Sequence, residues 1–196
     1  MPSIPEARPS DKTQGSTKSR GPLIIPSLGA LLILSPLVAQ VVYDEFLWSA
    51  MDFVVWTLLV GSAVFLLMLG ARSHKKIGRL AVGVSVMTGF LTIWANLAVG
   101  IIGREDNPMN LLYFGFLAVG IVGAVISWGR SKGLVITLGF MSALHFALAL
   151  WLYHLSATSA ALTTGVLGAL WCLAAFLFLR ASQRDRRRTD KVTEAL

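Results

Sequence analysis

The sequence predicts an all-α membrane protein: a bundle of six transmembrane helices with both termini cytoplasmic. Three observations lead there. The chain of 196 residues is 55% hydrophobic and 14% charged with a mean hydropathy of +0.70, too little polar surface to cover a soluble globule of that size. From Leu23 to Arg180 its apolar runs are broken only by short polar stretches, and at about 20 residues per span they supply six crossings. The basic residues, finally, fall in four groups that alternate with the spans: Arg8, Lys12, Lys18 and Arg20; Arg72, Lys75, Lys76 and Arg79; Arg130 and Lys132; and the group from Arg180 to Lys191. With the N-terminus inside, all four face the cytoplasm, and 16 of the 17 basic side chains lie on one side, Arg104 being the exception. The net charge of +7 therefore records topology and does not speak for a nucleic-acid partner.

The elements follow in order. Residues 1–22, rich in Pro, Ser, Lys and Thr, lack apolar periodicity and predict a disordered basic tail. A first span at 23–43 contains Pro26 and Pro36, which membrane helices tolerate when neighbours satisfy the freed carbonyls. Its basic leader and the Leu23–Val38 run also have the form of a secretory signal ending near Ala39. Leu37, two residues earlier, is not the small residue that cleavage prefers, so the span is read as retained; cleavage would leave five. Further spans are expected at 46–71, 79–103, 109–128, 134–154 and 160–180, followed by a basic cytoplasmic tail, 181–196. The transmembrane bundle thus occupies residues 23–180. The run Arg184 to Arg188 reads first as a topology anchor, continuing the last helix into water or resting on anionic headgroups. Asp44 and Glu45, the Arg104-Glu105-Asp106 turn and residues 155–159 fall on the outer side. Trp48, Trp128 and Trp151 lie near interfaces as belt anchors, whereas Trp56, Trp94 and Trp171 are deeper.

Apolar side chains gain little by meeting one another in lipid, so helices are expected to associate through small residues. Such seams run through Ser85, Gly89, Thr92, Asn96, Gly100 and Gly103; through Gly120, Ala124 and Ser127; through Ser142, His145 and Ala149; and through Ala161, Gly165, Gly168, Cys172 and Ala175. Leu97 to Gly103 and Leu117 to Gly123 are near-identical, as two helices drawing on one small vocabulary would be.

Chemistry is sparse. The lone Cys172 permits neither an intramolecular disulfide nor a redox thiol pair. His145 and His154 lie nine residues apart on opposite faces of one helix and His74 lies in a loop, which speaks against b-type haem; neither metal-ligand spacing nor a phosphate-binding loop is present. No cofactor and no metal are expected. The most distinctive segment runs from Trp94 to Tyr113. Its Glu105, Asp106 and Asn107 have the carboxylates and amides to bind a cation or polar ligand, although Asn107 also suits a helix N-cap, Pro108 the first helical position, and the two carboxylates the positive helix end. Asn96 is left over by that capping account.

With Asp44-Glu45-Phe46-Leu47-Trp48 and Asp52-Phe53, this segment resembles a group of small bacterial multi-pass membrane proteins across Leu34 to Trp151. The resemblance implies an inner-membrane location and carries no activity; Arg104 stands where that pattern has a small polar residue.

Helix rise places Asp52 about 9 Å, Asn96 about 10 Å and His145 about 13 Å below the outer ends of their spans. These three can converge in a polar layer holding a proton, cation or small polar ligand, since ionisable groups inside a membrane are costly and mark function by default. Against that, Asp52 beside Trp48 suits an interfacial residue, and His145 a packing histidine on a backbone carbonyl. The expected function is an integral membrane protein without a catalytic site, serving as an accessory, assembly or self-associating component in contact with the bilayer. The alternative is a small transporter or channel using Asp52, Asn96 and His145.

Overall fold

A computed structural model describes residues 21–43, 48–72, 76–127 and 130–193, with side chains described from 23 to 183. Asp44, Glu45, His74, Trp128 and the tail before residue 21 lie outside the described residues. Six helices account for nearly all of the rest: α1 (Gly21–Val42), α2 (Ala50–Ala71), α3 (Lys76–Ala98), α4 (Leu111–Ile126), α5 (Ser131–His154) and α6 (Thr158–Thr193), with one 3-10 turn, Pro108–Asn110, ahead of α4. Each of the six is long and apolar enough to cross a membrane. Large apolar side chains such as Leu31, Leu58, Phe65, Ile121, Ile136 and Leu162 point outward and are exposed. In water these would be unstable; against lipid tails they are at no disadvantage.

α5 and α6 make the most extensive contact, α3 lies on α6, and α4 lies on α5 and meets α3 only slightly. These four helices enclose the core. Ile101, Ile102, Tyr113, Leu148, Leu152 and Ala161 fill the half nearest the α3–α4 connection, and Ala81, Leu138, Met141, Trp171, Ala174 and Phe178 the other half. α2 packs on the outside of α3, and α1 on α2. The first two helices therefore form a hairpin hung on one side of a four-helix core.

Close approach is set by glycine, as lipid-embedded helices require. A Cβ on Gly70 would meet Val82 Cγ1 at 2.5 Å, and one on Gly168 would meet His145 Cβ at 3.2 Å. The hairpin also has a polar lock. Pro36 lacks an N–H, leaving the carbonyl of Leu32 without its helical donor; the indole N–H of Trp56 reaches across from α2 and supplies one at 2.9 Å, and the hydroxyl of Ser35 adds a second at 2.8 Å. Trp56 thus has a bonding role that its depth alone does not reveal.

Three helix ends differ most from expectation. α2 starts at Ala50 because Ser49 and Asp52 form a capping box: Asp52 N–H donates to Ser49 Oγ at 3.3 Å, and Ser49 N–H to Asp52 Oδ2 at 2.8 Å. α3 stops at Ala98, five residues before the expected 103, because Gly100 adopts φ +71° and Gly103 φ +72°, while the N–H groups of Val99 and Gly100 both return to Ala95 O. Beyond residue 180, α6 continues without interruption to Thr193 as one helix of 36 residues, about 54 Å long. Residues 181–193 prolong the last span because no glycine or proline interrupts them.

Candidate functional site

The segment from residue 99 to 110 is a folded turn whose apolar residues point back into the protein. Ile101 and Ile102 are buried against Tyr113, Leu148 and Leu152, plugging one end of the core. One side chain holds the turn in place. Asn110 Oδ1 accepts the N–H of Ile102 at 2.8 Å, and Asn110 Nδ2 donates to Arg104 O at 2.7 Å and to Ile102 O at 3.5 Å. Asn107 Oδ1 accepts Met109 N–H at 3.0 Å, with Pro108 in the first position of the 3-10 turn. Gly100 is required twice over: its φ is left-handed, and a Cβ there would lie 2.5 Å from Arg104 O and 2.6 Å from Glu105 N.

With the turn accounted for in this way, Glu105 and Asp106 have no part in its framework. Both are exposed; Asp106 Oδ1 lies 3.6 Å from Arg104 Nε, and Glu105 makes neither a hydrogen bond nor an ion pair among the described residues. Arg104 therefore offsets part of the acidity of its own turn. A cavity of about 520 Å³ lies between the end of α3 and the start of α4, and Asn96, Glu105, Asp106, Asn107 and Asn110 line it together with Leu97, Pro108, Leu111 and Phe114. Asn96 is 3% exposed; its Nδ2 donates to Thr92 O at 2.9 Å, while its Oδ1 has no partner. The residue that capping does not explain and the turn that capping does explain thus share one cavity.

Asp52 and His145 are elsewhere. Asp52 sits two residues into α2, about 3 Å along its axis, not 9 Å. It is exposed and bonded to Ser49, an arrangement that satisfies a carboxylate at a helix N-terminus. Asn96 likewise lies two residues from the end of α3. His145 is fully buried; its Nδ1–H donates to Met141 O at 2.8 Å. The three do not converge: the cavity lined by Asn96 includes neither of the other two. The expected depth fails for Asp52 and Asn96 because the ends of α2 and α3 differ from the apolar boundaries, whereas His145, on a helix that ends at His154 as expected, keeps its depth of about 13 Å.

His145 does belong to a second polar group that the sequence does not announce. Its ring lies 5.2 Å from that of Phe116, 6.0 Å from Tyr113 and 6.3 Å from Trp171, centroid to centroid. Thr164 donates its hydroxyl to Ala160 O at 2.6 Å, which leaves Tyr113 OH to donate to Thr164 Oγ1. Ser142 donates to Gly168 O at 2.9 Å. His145 Nε2, an acceptor, and Trp171 Nε1, a donor, are both buried without a partner. Tyr113, Thr164 and Trp171 join this core; Thr164 and Trp171 stand four residues before and three after Gly168 on α6, a spacing that shares its face, whereas no sequence signal marks Tyr113 on α4. Cys172, by contrast, is exposed and leaves the α6 seam to Trp171.

No protein family, curated protein or solved structure matches this chain. Among the described residues there is no group of three or more His, Cys, Asp or Glu side chains placed to hold a metal ion.

Proposed function

We propose that the protein is an integral component of a bacterial inner membrane, with both termini cytoplasmic and the 99–110 turn outside, that works by associating with itself or with another membrane protein and not by catalysis. The orientation rests on the placement of the basic groups, and the membrane on the resemblance of the Trp94–Tyr113 segment. The observation that carries association is a set of glycines with no packing role inside the chain. A Cβ added at Gly61, Gly83, Gly115, Gly139 or Gly165 would meet nothing within 4 Å. A helix-interior glycine costs about 1 kcal/mol relative to alanine, so it is retained where a second surface comes close. Gly61 lies on the hung hairpin, which has neighbours along one side only.

Native mass spectrometry from mild detergent tests this reading. The expected result is a stoichiometric assembly, of copies or with a co-purifying membrane protein, that Gly61→Leu weakens without loss of helical content. A lone monomer at native expression overturns it.

A further inference from the structure

We propose that the cavity between α3 and α4 holds the head of an ammonium-bearing amphiphile, the chemistry of an aminophospholipid. This inference is independent of whether the protein associates with a partner.

The polar side of the cavity offers acceptors and negative charge. Asn96 gives one N–H of its amide to Thr92 O, and its Oδ1 is buried without a partner. Glu105 is unpaired among the described residues, and Asp106 has only its 3.6 Å contact with exposed Arg104, which does not line the cavity. The side-chain oxygen of Asn107 is taken by Met109 N–H, and Asn110 is spent on the turn. Two carboxylates unused by the turn therefore line the cavity, with the unpartnered amide oxygen of Asn96 buried beside it, and a primary ammonium has three N–H groups and one positive charge to offer.

The rest of the wall is apolar. Leu97, Leu111 and Phe114 face the same space, Leu97 and Leu111 are also exposed on the outer surface, and α3 and α4 meet only slightly, so the cavity lies at a seam open to lipid. A hydrated metal ion or a free amine gains nothing from such walls. A molecule with a cationic head and acyl chains satisfies both sides at once, with its head at the level of the turn and its chains along the α3–α4 seam.

The test uses the full chain in nanodiscs of equal parts phosphatidylethanolamine and phosphatidylglycerol with matched acyl chains, released into a mass spectrometer. Retained phosphatidylethanolamine is expected to exceed phosphatidylglycerol about tenfold, a difference of roughly 1.4 kcal/mol in binding. The double variant Glu105→Gln/Asp106→Asn, both positions being exposed and outside the turn framework, is expected to abolish the preference with helical content unchanged. Equal retention of the two lipids overturns the proposal, as does a preference that survives the double substitution. Soluble ethanolamine separates the sources: if millimolar ethanolamine binds in the absence of any lipid preference, the ligand is a free amine and the amphiphile is refuted.

Discussion

Asn110→Ala is expected to lower stability in detergent by about 3 kcal/mol, the largest loss for any single polar substitution in this protein. The reason is the fate of three backbone groups. Ile102 N–H and Ile102 O are within the plug that closes the core, and the Asn110 carboxamide is their partner along with Arg104 O. Removing it strands a buried donor, at about 1–3 kcal/mol, and releases the turn that seats Ile101 and Ile102. Asn107→Ala, which removes one cap bond at a less buried position, is expected to cost about 1 kcal/mol. Thermal unfolding of the two variants beside the parent chain checks the ranking; equal effects would mean that Asn110 is merely another cap. Because Glu105 and Asp106 ride on the same turn, Asn110→Ala is also expected to abolish any discrimination among lipids.

Gly123→Leu is expected to cost about 3 kcal/mol or more and to detach α4 from α5. Any side chain at that position begins 2.6 Å from Thr137 Oγ1 and 3.1 Å from Thr137 Cβ, so the helices must separate at this end, where α4 lacks the anchoring that buried Tyr113 and its bond to Thr164 give the other end. Gly115→Leu, on the same helix, has nothing within 4 Å of its Cβ and is expected to leave the fold within about 1 kcal/mol of the parent, helix propensity favouring it. Unfolding midpoints of the two variants decide the matter. Similar losses in both would show that α4 is held by something other than close approach to α5.

Hydropathy made the six spans legible because lipid imposes one rule on every helix in the chain. It misplaced the ends, and the reason is visible at residues 97–103. Leu97-Ala98-Val99-Gly100-Ile101-Ile102-Gly103 and Leu117-Ala118-Val119-Gly120-Ile121-Val122-Gly123 are nearly the same peptide, yet the second lies wholly within α4 and the first leaves the helix after Ala98. The first is followed by Arg104-Glu105-Asp106-Asn107-Pro108, and its glycines turn left-handed; the second is followed by Ala124-Val125-Ile126 and stays helical. Apolarity persists through the turn because Ile101 and Ile102 are buried in it, so composition alone has no means of marking where the backbone reverses.

The seams were legible in kind but not always in phase. On α4 the close approach to α5 runs through Gly120 and Gly123, Ala124 being exposed, and on α6 Trp171 is inside while Cys172 is out. One residue is 100° of helix, and small residues on several faces do not say which face is covered. For the site, the distinctive segment and its capping role are legible in Asn107 and Pro108. The role of Asn110 is not legible, because its bonds run backward to Ile102 and Arg104 across a turn that the apolar pattern conceals. Asp52 was set too deep for the same reason that α3 was drawn too long.

The proposed orientation puts the 99–110 turn outside the cell and both termini inside. In a Cys172→Ser background, single substitutions at exposed positions, Arg104→Cys in that turn, Ser156→Cys between α5 and α6, and Gln183→Cys at the far end of the last span, can be challenged in intact bacteria with a membrane-impermeant maleimide. Labelling at positions 104 and 156, with position 183 reached only after the cells are broken, is the predicted result. Labelling of position 183 in intact cells, with 104 and 156 protected, would contradict the account at its root.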